Sequence, residues 1–130
     1  METVKSVFII DDDTTNNLIC KKMIEKSGFS TNVTCITDVA QALSRLQELE
    51  SSSDFPEVIF LDINMPPSNG WVFLDQYMEH FSHKTIKVFM LSSGVTDYER
   101  EKSKKYELVS TIMDKPLSID KLQYIKEQFM

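Results

Sequence analysis

Three short runs along the chain are apolar at every position: Val7-Phe8-Ile9-Ile10, Val58-Ile59-Phe60-Leu61 and Val88-Phe89-Met90-Leu91. Each is too short for a helix and rich in β-branched or aromatic residues, as in strands buried on both faces of a parallel sheet. Two more polar strands are expected at 31–36, with Val33 and Cys35 on one side, and at 109–113. Their polarity suits sheet edges. Helical spacing fills the gaps. Residues 15–27 carry Leu18, Ile19, Met23 and Ile24, and Gly28 follows as a stop. Residues 38–50 carry Val39, Ala42, Leu43, Leu46 and Leu49 behind a capping Asp38, with Gln41 three positions later. Residues 71–81 carry Leu74, Tyr77, Met78 and Phe81, and residues 118–129 carry Ile119, Leu122, Ile125 and Phe129 behind Ser118. Residues 96–106 are charged and nearly lack an apolar stripe, which predicts a weakly anchored helix. Strand and helix alternate throughout, so the fold class is α/β, a doubly wound parallel sheet.

Length and composition narrow the function. The 130 residues, 42% hydrophobic, suit one domain (1–130) with a real core and leave no room for an output domain. A net charge of −6 disfavours a nucleic-acid groove, so no DNA partner is expected. No apolar run approaches the roughly 20 residues of a membrane span, and the N-terminus shows no signal peptide. Cys20 and Cys35 form no CxxC pair and read as reduced and buried, which suits the cytoplasm. The three glycines, Gly28, Gly70 and Gly94, are too scattered for a Walker or dinucleotide loop. Phosphate handling here would need side chains and a metal.

Chemistry gathers where the apolar runs end. Asp11-Asp12-Asp13 follows the first, Asp62 the second, Ser92-Ser93-Gly94 the third, and Lys115 lies past the last weak strand. Ligands of open α/β sheets bind beyond the carboxyl ends of the strands. Crowded carboxylates raise one another's pKa, and a hard divalent cation resolves that conflict. Mg²⁺, with its preference for carboxylate, water and phosphate oxygens, is the expected ion. Such an ion and Lys115 would supply the charge neutralisation that phosphoryl transfer to a carboxylate requires. A hydroxyl such as Ser92 can bond a phosphoryl oxygen.

The stretches IIDDDTTNNL, FLDINMP, MLSSG and DKP, in this order and over nearly the whole chain, resemble the receiver domain of two-component response regulators, in its stand-alone form. The resemblance implies a flavodoxin-like fold with its five strands in the order 2-1-3-4-5. It implies Asp62 as phosphoacceptor, with Ser92 and Lys115 assisting. Mg²⁺ would be held by Asp11, Asp12, Asp62 and the backbone carbonyl of Asn64. A sensor histidine kinase or phosphotransfer protein would supply the phosphoryl group, and a downstream protein would read it. The Lys115-Pro116 bond is often cis in such domains. Two positions depart from the pattern or tune it: Ile112 stands where an aromatic reporter is usual, and the small Gly94 leaves water access open.

Two other readings compete. Asp11-x-Asp13-x-Thr15 matches the first motif of haloacid-dehalogenase-type phosphatases, with Asp11 as nucleophile and Asp13 as general acid. That family needs another acidic motif after the lysine, whereas only Asp120 follows, and Asp62 would have no task. The other is a receiver fold that binds partners without phosphate. His80 and His83 read as surface residues, Trp71 as packing at a helix start, and Glu101 with Lys105 as a helical ion pair.

Overall fold

The three fully apolar runs become the three central strands of a five-stranded parallel sheet. The computed structural model describes residues 3–130. In chain order the elements are β1 (Val7–Ile10), α1 (Thr14–Lys26), β2 (Val33–Ile36), α2 (Val39–Leu49), β3 (Val58–Asp62), β4 (Asn64–Met65), β5 (Ser68–Asn69), α3 (Gly70–Phe81), β6 (Lys87–Ser92), α4 (Asp97–Ser103), β7 (Val109–Asp114) and α5 (Ile119–Phe129). The sheet runs β2-β1-β3-β6-β7. That is the expected order of the five principal strands, with the two weaker ones at the edges. The short antiparallel β4–β5 ladder was not anticipated; it pairs Asn64 with Asn69 and Met65 with Ser68 around a cis Pro66-Pro67 bond.

Alternation along the strands divides the core in two. Phe8, Ile10, Ile59, Leu61, Val88 and Met90 face α2 and α3. Val7, Ile9, Val58, Phe60, Phe89 and Leu91 face α1 and α5. Rings pack within the second layer, Phe60 stacked on Phe89 at 5.7 Å and tilted against Phe29 at 5.9 Å. Each large side chain so buried contributes about 1.5–3 kcal/mol relative to exposure.

Side-chain caps start all five helices. Asp13 accepts from the Asn16 amide, Asp38 from Gln41, Asn69 from Val72, Thr96 from Glu99 and Ser118 from Lys121. Each cap is worth about 1 kcal/mol. Gly28 follows α1 with φ of +76°, the left-handed stop its position suggested. The Lys115-Pro116 bond is cis.

Several expectations need correction. Leu18 and Ile19 are exposed; α1 buries Asn17, Cys20 and Ile24 instead, a stripe containing a polar residue that periodicity cannot pick out. Met78 and Ile119 are exposed as well. Cys20 is buried but Cys35 is exposed, because β2 is an edge strand. The charged helix is shorter than expected, α4 ending at Ser103, and Glu101 pairs with Lys104 rather than Lys105. His80 and His83 are exposed as expected, His83 contacting Glu50 at 2.9 Å.

Gly70 fixes the backbone beside the end of β3. Its amide donates to the Ile63 carbonyl at 2.8 Å. A Cβ on Gly70 would lie 2.7 Å from the Asp62 carbonyl oxygen and 3.2 Å from the Ile63 Cα, whereas one on Gly94 would meet nothing within 4 Å. Gly70→Ala should therefore cost about 1–3 kcal/mol by overpacking, and Gly94→Ala less than about 0.5 kcal/mol. Urea unfolding of both variants checks this; equal costs would refute the close-approach account.

Candidate functional site

β1, β3, β6 and β7 end side by side, so the residues that follow them meet at one edge of the sheet. Asp11 follows β1, Asp62 closes β3, Ser92 closes β6, and Lys115 follows β7. The Lys115 backbone amide donates to the Ser92 carbonyl at 2.7 Å, which locks the last two together. The Lys115 ammonium lies 2.8 Å from Asp11 Oδ2 and 3.1 Å from Asp62 Oδ1. It bridges two carboxylates that are only 2% and 6% exposed.

Asp11 is held on every side. Its Oδ2 also accepts from Asn16 Nδ2 at 2.8 Å, its Oδ1 from the Asp13 amide at 2.9 Å, and its carbonyl from Asn17 Nδ2 at 2.8 Å. Asp12 is exposed, yet one of its carboxylate oxygens lies within 4.8 Å of oxygens from both Asp11 and Asp62. Asp13 is spent on the α1 cap, its carboxylate accepting from the Asn16 amide at 3.0 Å. The phosphatase reading thus loses its general acid to a structural role.

Asp62, Asn64, Trp71, Ser92 and Glu99 line a shallow cavity of about 310 Å³. Larger clefts of about 530 and 540 Å³ lie elsewhere, one between α2 and α3, but neither gathers several carboxylates around a cation. Ser92 donates to Glu99 Oε1 at 3.1 Å. Sequence reasoning singled out neither Glu99 nor Asn16. Thr96-x-x-Glu99 is a readable capping-box pattern, but nothing in it indicates that the carboxylate reaches back to Ser92. Trp71 packs at the start of α3 as expected, stacked on Tyr106 at 5.8 Å, and Tyr106 donates to Asp75 at 2.8 Å.

Burial first, and then the neighbouring Asp11 charge, push the Asp62 carboxyl up to about 6, although Lys115 and the Asn64 amide pull it down. Burial alone would lower Lys115, but its bonds and attraction to Asp11 and Asp62 outweigh that and hold it above its ordinary value. One cation among three converging carboxylates leaves negative charge uncompensated. The all-oxygen donor set, shaped by a turn and two strand ends, fits a hard divalent ion.

Fold and site together define a flavodoxin-like α/β domain with an acidic, lysine-bridged centre at the carboxyl edge of its sheet. The family model "Response regulator receiver domain" matches residues 7–126, and the chain belongs to that family. A two-component response regulator from Cytophaga hutchinsonii superposes with a TM-score of 0.90 at 28% identity, over 98% of this chain and 97% of that one. Among curated proteins, a protein-glutamate methylesterase/protein-glutamine glutaminase from Burkholderia thailandensis is 37% identical over 71% of this chain and 24% of its own length. The Helicobacter pylori sensor histidine kinase CheAY is 26% identical over 72% of this chain and 11% of its own length. The chain thus spans less than a quarter of either curated relative.

The raised Asp62 pKa has a stability consequence. An unfolded aspartate titrates near 3.9. Protonated Asp62 therefore favours the fold, and that contribution is present below about pH 4 and lost as pH rises through about 6. In EDTA at pH 7.5, Asp62→Asn should be more stable than wild type by on the order of 1–3 kcal/mol, and the gain should vanish near pH 4. Chemical denaturation at the two pH values checks this; a destabilised Asp62→Asn at pH 7.5 would contradict it.

Proposed function

We propose that this domain is a phosphoacceptor switch of two-component signalling, taking a phosphoryl group on Asp62. A carboxylate oxygen of Asp62 attacks phosphorus, an O–P bond forms, and the bond to the donor nitrogen breaks, giving an acyl phosphate. The donor is a phosphohistidine on a sensor kinase or phosphotransfer protein. The observation that carries this reading is the Lys115 ammonium set between Asp11 and Asp62, with the Asp12 carboxylate converging on the same point.

Each group then has a task. Asp62 is the nucleophile, facing the cavity that it lines. Lys115 already contacts Oδ1 and stays beside the oxygens of the incoming phosphoryl group, offsetting their charge. Asp11, Asp12, Asp62 and the Asn64 carbonyl would hold Mg²⁺, which would supply charge neutralisation for the phosphoryl oxygens. Ser92 donates its hydroxyl to a phosphoryl oxygen after transfer. Ile112 is buried at 6% exposure within the α2–α3 layer, so no aromatic at that position reports the change. Movement is then concentrated in the loop after β6 and in α4, which buries only Ser103. A downstream protein reads that surface.

A purely structural interaction module needs none of this chemistry. The lysine bridge with all three carboxylates in place favours the phosphoacceptor instead. Incubation with acetyl phosphate and Mg²⁺, followed by intact mass measurement, decides between them. Wild type should gain one phosphoryl group, while Asp62→Asn, or wild type in EDTA, should gain none. Phosphorylation persisting in Asp62→Asn, or absent from wild type, would overturn the assignment.

A further inference from the structure

The hydroxyl that must serve the phosphoryl group is already in use. A serine has one proton to donate. Ser92 gives it to Glu99 Oε1 at 3.1 Å, while its oxygen accepts from the Gly94 amide at 3.2 Å. It cannot donate to a phosphoryl oxygen on Asp62 without leaving Glu99. The Ser92 backbone is pinned, its carbonyl accepting from the Lys115 amide at 2.7 Å. The exchange of partners therefore falls on the side chain and on the loop that follows.

Glu99 has a second attachment. The same Oε1 accepts from the Thr96 amide at 3.1 Å, and the Glu99 amide donates to Thr96 Oγ1 at 3.1 Å. This reciprocal pair is the capping box that opens α4. One carboxylate oxygen thus joins the Ser92 hydroxyl to the first turn of a short helix with little apolar anchorage. Glu99 and Asp62 also line the same cavity. A phosphoryl group there adds up to about two negative charges, which repel a neighbouring carboxylate.

We propose that Glu99 is a positioning residue of the switch, an off-state latch that holds Ser92 away from Asp62 and whose release on phosphorylation loosens the first turn of α4. This rests on the phosphoacceptor reading of Asp62. The latch has two effects: it opposes phosphorylation by competing for the Ser92 proton, and it carries the event to α4 through the capping box. Breaking it should leave the domain easier to activate and α4 already loosened.

The test titrates beryllofluoride with Mg²⁺, as phosphoryl mimic, onto wild type, Asp62→Asn, Glu99→Gln, Glu99→Ala, Ser92→Ala and the Ser92→Ala/Glu99→Ala double variant. Trp71, the one tryptophan of the chain, lines the cavity and supplies the fluorescence signal. Glu99→Ala should bind about tenfold tighter than wild type, the size of one charge-assisted hydrogen bond. Glu99→Gln keeps an acceptor for the cap but lacks the charge, and should bind a few-fold tighter; it decides the matter if Glu99→Ala does not fold. In the Ser92→Ala background the gain should shrink to a few-fold at most, the part that loss of the Glu99 charge alone supplies, because the rest acts through that hydroxyl. Amide exchange at Thr96 and Glu99 should accelerate when wild type binds the mimic. Unchanged or weaker binding in both Glu99 variants, or an equal gain without Ser92, would overturn the latch while leaving the phosphoacceptor reading intact. No binding to wild type, or equal binding to Asp62→Asn, would overturn that reading and the latch with it.

Discussion

Two almost fully buried carboxylates, Asp11 and Asp62, share a single ammonium. With Asp12 converging to within 4.8 Å, three negative groups face one positive group. Like charges at that separation repel by on the order of 3 kcal/mol at an effective dielectric near 20. The fold tolerates this because Lys115 bonds both buried carboxylates and because Asn16 and the Asp13 amide bond Asp11. Compensation is nonetheless incomplete: burial first, and the Asp11 charge second, still hold the Asp62 carboxyl up at about 6. With all four groups ionised, three charges against one leave two uncompensated, the charge of one divalent cation. The site is thus held ready for positive charge, and its chemistry follows from that.

The scaffold serves this arrangement. Parallel strands deliver their carboxyl ends to one edge, and the caps that start the helices fix the turns there. Asp13 is part of the acidic run yet works as the α1 cap, which leaves its two predecessors for the site. Gly70 lets the first turn of α3 lie against the Asp62 carbonyl, so Asp62 is positioned by close backbone packing. The opposite side of the cavity is built from a loop and a short helix that buries only Ser103. The loop is held by side-chain hydrogen bonds, from Ser92 and the Thr96 amide to Glu99, from the Gly94 amide to Ser92 Oγ and from the Val95 amide to Asp114 Oδ1 at 2.8 Å.

Much of this was legible in the sequence because it depends on local pattern. Continuous apolar runs marked the central strands, and Asp11, Asp62, Ser92 and Lys115 could be read as strand-end residues without knowing any contact. Caps at Asp38 and Ser118 followed from residue type and spacing. What stayed hidden depends on tertiary neighbours. Leu18 and Ile19 looked like core, but the buried stripe of α1 runs through Asn17, whose amide is needed by the Asp11 carbonyl. Cys35 looked buried until β2 proved to be an edge strand. Glu99 lay in a charged helix with no apparent task, and only the turn after β6 brings it to Ser92. The necessity of glycine at position 70 was invisible, because the atom it would strike belongs to a residue eight positions earlier.

The central claim is that uncompensated negative charge, held in place by Lys115, makes this edge a cation and phosphoryl site. Calorimetric titration of Mg²⁺ at pH 7.5 into wild type, Asp12→Asn and Lys115→Ala tests it by sign. The account predicts one Mg²⁺ bound by wild type, weaker binding by Asp12→Asn, and tighter binding by Lys115→Ala, since removing the ammonium leaves more charge for the ion to neutralise. Equal affinity in all three proteins, or loss of binding in a folded Lys115→Ala, would contradict it.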